Sequence, residues 1–213
     1  MSPEVARPVL WSFRRCPYAM RARLALASAG QPVTLREVVL REKPAAFLAA
    51  SPSATVPCLE TDEGVIDESL DIMLWALDRG DPEGWRDMPR DGFDLIARCD
   101  GPFKASLDRY KYATRHPESD PLAERARGAA FLGELDARLV GRAWLFGGSA
   151  RLADMAILPF VRQFAHVDPA WFESQPWPDL LNWLTAFKAS DRFRQIMPKY
   201  PRWQDGDAPV RFP

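Results

Sequence analysis

The stretch Pro8-Val9-Leu10-Trp11-Ser12-Phe13-Arg14-Arg15-Cys16-Pro17-Tyr18-Ala19 decides how the rest of the chain is read. Pro8 to Phe13 is apolar and aromatic and breaks off at two arginines, which predicts a short buried strand. Pro17 to Ala29 consists mostly of good helix formers, with Met20, Leu24 and Ala27 along one face and Gly30 as the stop. Arg21 is expected on the surface of that helix. Pro17 suits the first helical position, where a missing amide proton costs nothing, so Cys16 falls at the N-cap.

A cysteine at this junction has an electrical consequence. Unpaired helical N–H groups face it and Arg14 and Arg15 add positive charge, so its thiol is expected to ionise below the free value of about 8.5. The motif Cys16-Pro17-Tyr18-Ala19 lacks the second cysteine of a Cys-x-x-Cys dithiol. Any mixed disulfide on Cys16 must therefore be resolved by an outside thiol, and glutathione is the abundant cytosolic one.

Working outward, Val33 to Leu40 alternates in the manner of a half-buried strand. Lys43-Pro44 opens a short helical piece with Phe47 and Leu48 turned inward. Ser51 to Pro57 is too rich in serine and proline to be regular. Cys58 to Thr61 and Val65-Ile66 then read as two strands joined by a tight turn at Asp62-Glu63-Gly64. Leu70, Met73, Leu74 and Leu77 fall at helical spacing, which makes Ser69 the N-cap of a further helix. Residues 1–78 thus form a β-α-β-α-β-β-α unit. Residues 79–90 carry Gly80, Pro82, Gly84 and Pro89 among charges and read as a linker. From 91 to 213 no convincing strand appears. Helical periodicity covers roughly Phe93 to Thr114, Leu122 to Val140, Leu152 to Phe164 and Pro178 to Ala189, with a short last helix near Arg192 to Met197. The fold class is α+β, an N-terminal unit with a mixed four-stranded sheet followed by an all-α unit.

Bulk properties exclude several functions. With 47% hydrophobic and 27% charged residues, the chain can build its own core. A formal net charge of −1 and no basic stripe argue against nucleic acid. Met1 to Pro8 is polar and no eighteen apolar residues run together, so no membrane is expected and the setting is read as cytoplasmic. Three cysteines, Cys16, Cys58 and Cys99, are too few for a disulfide framework, and with only His116 and His166 beside them no metal site is expected. Cys58 and Cys99 read as core.

At Cys16-Pro17-Tyr18-Ala19, Lys43-Pro44, Thr55-Val56-Pro57 and Glu68-Ser69, taken in that order, the chain resembles the glutathione transferase family. Within it the chain is similar to the cysteine-containing members of omega and glutaredoxin type. The resemblance spans nearly the whole chain and implies a thioredoxin-like first half, glutathione as cosubstrate and a homodimer. It implies a cis bond before Pro57, with the Val56 backbone pairing with glutathione's cysteinyl part as an added strand. Ser69 and the helical N–H groups behind it suit the γ-glutamyl carboxylate, and Glu68 its ammonium. Lys43 would meet the glycyl carboxylate. A second-substrate pocket would draw on Phe13, Tyr18, Tyr110, Tyr112, Trp171 and Phe172, beside the thiol. One departure is Arg151, which stands three residues before Asp154 where the family has a capping Ser or Thr; Ser149 is a substitute, or the cap is weaker.

Two classes of function follow. In the first, Cys16 is the nucleophile of a glutathione-dependent thiol transferase or reductase acting on a small electrophile, disulfide or conjugate. A conventional conjugating transferase using the hydroxyl of Ser12 or Tyr18 is a variant of it. In the second, the fold is kept for non-catalytic binding or regulation, a reading that gives no reason for a thiol at a helix N-terminus.

Overall fold

The computed structural model describes residues 7–213, so most of the polar stretch Met1 to Pro8 lies outside the described residues. The chain divides into two compact units, Met1–Glu83 with Asp191–Pro213, and Gly84–Ser190.

The first unit runs β1 (Val9–Ser12), α1 (Pro17–Ser28), β2 (Val33–Glu37), α2 (Ala45–Ala50), β3 (Cys58–Thr61), β4 (Gly64–Ile66) and α3 (Ser69–Arg79). This is the β-α-β-α-β-β-α order expected from the periodicities. The sheet is mixed, in the order β4-β3-β1-β2-β5, with β1 parallel to β2 and antiparallel to β3. It has five strands where the sequence suggested four. β5 (Val210–Phe212) comes from the end of the chain and pairs antiparallel with β2, Leu35 opposite Val210 and Val33 opposite Phe212. A strand of three residues is too short to show alternation, and partners this distant leave no local signal. The last stretch, from α10 (Asp191–Ile196) onward, accordingly belongs with the sheet unit, although the sequence placed it with the helices.

Two further expectations are corrected here. Arg21 is fully buried, as is Arg23, because α1 lies between α3 and α10 with little solvent-facing surface. Leu48 is half exposed, and Phe47 alone turns inward from α2. Around Phe47 gather Trp11, Val38, Val56 and Cys58, with Cys16 and Phe13 packed against their edge.

The second unit comprises α4 (Asp91–Arg98), α5 (Lys104–Lys111), α6 (Pro121–Leu139), α7 (Leu152–Ala165), α8 (Pro169–Glu173) and α9 (Pro178–Ala189). The single helix expected over Phe93 to Thr114 is interrupted at Cys99–Phe103, which forms a π-helical turn containing Pro102. Proline has no N–H to donate, and the widened turn absorbs the lost bond. The short α8 carries too few residues for periodicity. Its cap is Asp168, whose carboxylate accepts from the Trp171 amide at 3.1 Å.

Gly128 in α6 lets Phe164 of α7 sit directly on the helix backbone: a Cβ at 128 would lie 2.5 Å from the Phe164 ring. Alanine would gain about 1 kcal/mol in helix propensity, yet overpacking costs ~1–3 kcal/mol. Gly128→Ala is therefore expected to lower stability, read as a reduced urea midpoint. An increase would show that the ring moves freely.

The start of α7 replaces the missing cap in an unexpected way. Arg151 is the N-cap residue, and Asp154, fully buried, accepts from the amides of Arg151 at 2.8 Å and Leu145 at 2.9 Å. The Arg151 guanidinium turns away to the Gly84 carbonyl at 2.5 Å. One half of a capping box survives, supplied by the acid. Burial pushes the Asp154 carboxyl up to about 6, although the amides favour its charged form. With the folded value raised above the ordinary 3.8, the folded state binds the extra proton between about pH 4 and 6. Its contribution to stability is full below that window and declines as pH rises through 6. Asp154→Asn keeps one amide acceptor and cannot titrate, so its stability deficit relative to the parent should shrink between pH 4 and 7. Denaturant melts at both pH values would test this, and a deficit that grows with pH would contradict it.

Candidate active site at the first helix

β1 ends at Ser12 and the chain turns tightly, the Cys16 amide donating to the Phe13 carbonyl at 2.9 Å. Cys16 is the N-cap residue of α1, with extended backbone angles and Pro17 at the first helical position, as its sequence requires. Its side chain makes no cap hydrogen bond to the helix. Instead the Sγ–H donates to the carbonyl of Val56 at 3.6 Å. This contact brings together two residues forty positions apart.

Val56 sits in a loop whose geometry is closely held. The Val56–Pro57 bond is cis. The Val56 side chain is buried in the cluster around Phe47, which leaves its main chain as the part available for pairing. Its amide N–H has no acceptor among the described residues. Upstream, Ala54 has φ of 54°, in the left-handed region where glycine is usual. Asp67 braces this stretch, accepting from the Ser51 hydroxyl and the Ser53 amide, both at 2.8 Å.

Asp67 leads directly into α3. Here the cap assignment shifts by one residue: Glu68 is the N-cap and Ser69 the first helical residue, since Ile72 N–H donates to the Glu68 carbonyl at 3.0 Å. Ser69 is buried and Glu68 exposed. No side chain caps the helix, and the amides of Ser69, Leu70 and Asp71 have no acceptor among the described residues. Three unsatisfied N–H groups at the positive end of an eleven-residue helix have the chemistry to accept a carboxylate. Lys43 is exposed just ahead of α2 and makes no ion pair among the described residues.

The turn carrying Cys16 is fixed from beneath by groups that the sequence did not single out. Arg23 of α1, fully buried, donates from Nε to the Ser12 hydroxyl at 2.9 Å and from a terminal nitrogen to the Ile196 carbonyl at 3.1 Å. Its other terminal nitrogen pairs with Glu37 at 2.5 Å. The second oxygen of Glu37 accepts the Arg14 amide at 2.6 Å. Burial lowers the Arg23 pKa while Glu37 counteracts it. The network therefore ties β1, α1, β2 and the end of α10 to the residues immediately before Cys16.

The three cysteines differ sharply. Cys58 and Cys99 are fully buried, whereas Cys16 is partly exposed. Burial, and then the nearby Asp67 carboxylate, push the Cys58 thiol up to about 12, so it stays protonated at neutral pH.

The aromatic residues read as a substrate pocket are placed as follows. Phe13 lies on the Cys16 turn with Arg15 stacked over its ring at 5.2 Å, and Tyr18 is half-buried with Arg21 over it at 5.4 Å. In the helical unit Tyr110 and Trp171 both meet Phe164, at 5.4 and 6.2 Å, while Phe172 packs on Trp177 at 5.6 Å in the core. Tyr112 stands apart from them at the end of α5, flanked by Lys111 and Arg115.

Two family models match this chain. Residues 10–84 match the glutathione S-transferase N-terminal domain and residues 94–186 the glutathione S-transferase C-terminal domain. The chain belongs to the glutathione S-transferase family. A probable glutathione transferase of Aplysia californica is 42% identical over 57 residues, which is 27% of this chain and 62% of that protein. The chain thus spans less than two thirds of that relative. Solved structures share the fold of this family member at low identity. A glutathione transferase family member from Pseudomonas fluorescens pf-5, with two glutathione bound, has a TM-score of 0.77 at 18% identity, covering 92% of this chain and 94% of its own. Glutathione transferase Omega 3C from Trametes versicolor has a TM-score of 0.74 at 18% identity, covering 87% and 82%.

In this glutathione S-transferase family member the Cys16 turn, the Val56–Pro57 loop and the start of α3 are the elements that sequence motifs pointed to. Asp67, Arg23 and Glu37 are the additions. Asp67 adjoins the Glu68-Ser69 motif and was within reach of a sequence reading. Arg23 and Glu37 were not, because a charged residue on a helix or at a strand end is ordinarily solvated.

Proposed function

We propose that the protein is a glutathione-dependent thiol transferase in which Cys16 is the nucleophile. The observation that carries this reading is the partly exposed Cys16 sulfur at a helix N-terminus, set 3.6 Å from the main chain of Val56. The unpaired Val56 amide suits the cysteinyl part of glutathione, bound as an added strand. The unsatisfied amides of Ser69 to Asp71 suit its γ-glutamyl carboxylate, Glu68 its ammonium and Lys43 its glycyl carboxylate. As a thiolate, Cys16 attacks the glutathione sulfur of a mixed disulfide. A Cys16–glutathione disulfide forms, the original S–S bond breaks and the other half leaves as a thiolate that takes up a proton. A second glutathione thiolate then attacks that bond, freeing Cys16 and forming oxidised glutathione. Ala19 stands where a dithiol motif would carry its second cysteine, and Cys58 is fully buried with its thiol held protonated, which is why the outside thiol is needed. Assembly as a homodimer and a cytoplasmic setting belong to the same proposal; among the described residues no helix is long and apolar enough to cross a membrane.

A conjugating transferase would instead activate glutathione with a hydroxyl. Ser12 is poorly suited to that, because its hydroxyl is buried and held by Arg23. Incubation with oxidised glutathione followed by intact mass measurement tests the choice. A single glutathione adduct, absent in Cys16→Ser, is expected; an unmodified parent protein would overturn the thiol-transfer reading.

A further inference from the structure

Next to the Cys16 turn lies a cavity of about 280 Å³, bounded by the turn itself, the end of β2 and the chain that follows α10. Its wall holds four cations, Arg14, Arg15, Lys199 and Arg202, against a single carboxylate, Glu37. That carboxylate is already committed, one oxygen to Arg23 at 2.5 Å and the other to the Arg14 amide at 2.6 Å. Arg202 is paired too, with Glu42. Arg14, Arg15 and Lys199 make no ion pair among the described residues. A protein of net charge −1 has thus concentrated three uncompensated positive charges around one small cavity. Phe13 and Tyr200 supply apolar wall between them.

We infer that this cavity holds the anionic group of the second substrate, so that the leaving half of the disulfide attacked by Cys16 is a small organic thiol bearing a carboxylate or sulfonate. The inference rests on the proposed thiol chemistry and adds the substrate class to it. Charge and placement both point this way. Like charges crowded at a cavity wall repel one another and are relieved by an entering anion, and a partly enclosed site strengthens that attraction over bulk water. Two of the cations belong to the two residues immediately before Cys16, so an anion held there lies against the turn that carries the thiol. The other cation and Tyr200 come from the chain after α10, which returns to the sheet as β5 and thereby closes the cavity. Arginine at the turn also favours a planar carboxylate or a sulfonate through paired N–H donors.

Two disulfide probes of similar reactivity class separate charge from chemistry. Stopped-flow rates are measured for 5,5′-dithiobis(2-nitrobenzoate), an anionic aromatic disulfide, and for neutral 2,2′-dithiodipyridine. The quantity read is the ratio of the two rate constants, which cancels any change in the Cys16 thiolate population. In the double variant Arg15→Gln/Lys199→Gln the anionic-to-neutral ratio is expected to fall on the order of tenfold, and added salt should lower it in the parent. Arg15→Lys/Lys199→Arg keeps the charge and should retain most of the ratio. A ratio that is the same in parent and double variant would overturn the cavity assignment while leaving the glutathione adduct on Cys16 intact. Loss of that adduct with a normal ratio would instead overturn the glutathione reading alone.

Discussion

Replacing Cys16 with serine is expected to reduce glutathione-dependent reduction of a mixed disulfide by at least about a thousandfold while leaving the fold in place. The size follows from the chemistry. A serine hydroxyl cannot be ionised appreciably by helix N–H groups at neutral pH, and it forms no disulfide, so the covalent route closes. The remaining rate is what binding and orientation alone supply. The stability cost is expected to be small. Cys16 makes a weak S–H hydrogen bond to the Val56 carbonyl at 3.6 Å, worth well under ~1 kcal/mol, and serine is smaller and tolerated at an N-cap. A coupled assay that follows oxidised glutathione, together with a thermal melt, reads both quantities. Activity that survives in a folded Cys16→Ser protein would assign catalysis to a hydroxyl, with Tyr18 then the nearest alternative in sequence.

Loss of Arg23 is expected to have the largest effect on stability, although the residue touches no proposed substrate. Arg23→Met would strand Glu37 beside a buried apolar surface and leave the Ser12 hydroxyl and Ile196 carbonyl without their donor. Breaking a buried pair in this way costs ~3–5 kcal/mol, a large part of the stability of a typical domain. Removing both partners, as in Arg23→Met/Glu37→Gln, should recover part of that loss, because no charge is left unpaired and glutamine can still accept the Arg14 amide. Urea unfolding of the two variants gives the comparison. A double variant no better than the single one would mean that the arginine acts through packing rather than through its charge. The same network sets where Arg14 and Cys16 sit, so the rate of Cys16 alkylation should change in Arg23→Met and return toward the parent in the double variant.

Much of this molecule was legible from the chain alone. The strand that breaks at Arg14-Arg15, the proline after Cys16 and the good helix formers behind it are local instructions, and each acts through its own backbone preferences. The same holds for the order of the first seven elements and for α6, α7 and α9. What went unread has a common cause. β5, the burial of Arg21 and Arg23 and the exposure of Leu48 all depend on partners remote in sequence. A hydrophobic pattern reports which face of an element is buried, but it does not report whether a second layer covers the opposite face, as α10 and α3 do for α1. The shift of the α3 cap from Ser69 to Glu68 is of another kind, a one-residue uncertainty inherent in helix ends.

The sequence by itself determined that a lone cysteine opens the first helix of a β-α-β-α-β-β-α unit, because capping, proline placement and strand composition are properties of neighbouring residues. Only the tertiary structure decided what that cysteine faces. The Val56 carbonyl comes from a loop forty residues away, the Arg23–Glu37 pair from the helix behind it and the next strand, and the cationic wall in part from the chain after α10. Those contacts arise from packing across the sheet, where distance along the chain carries no information about distance in space.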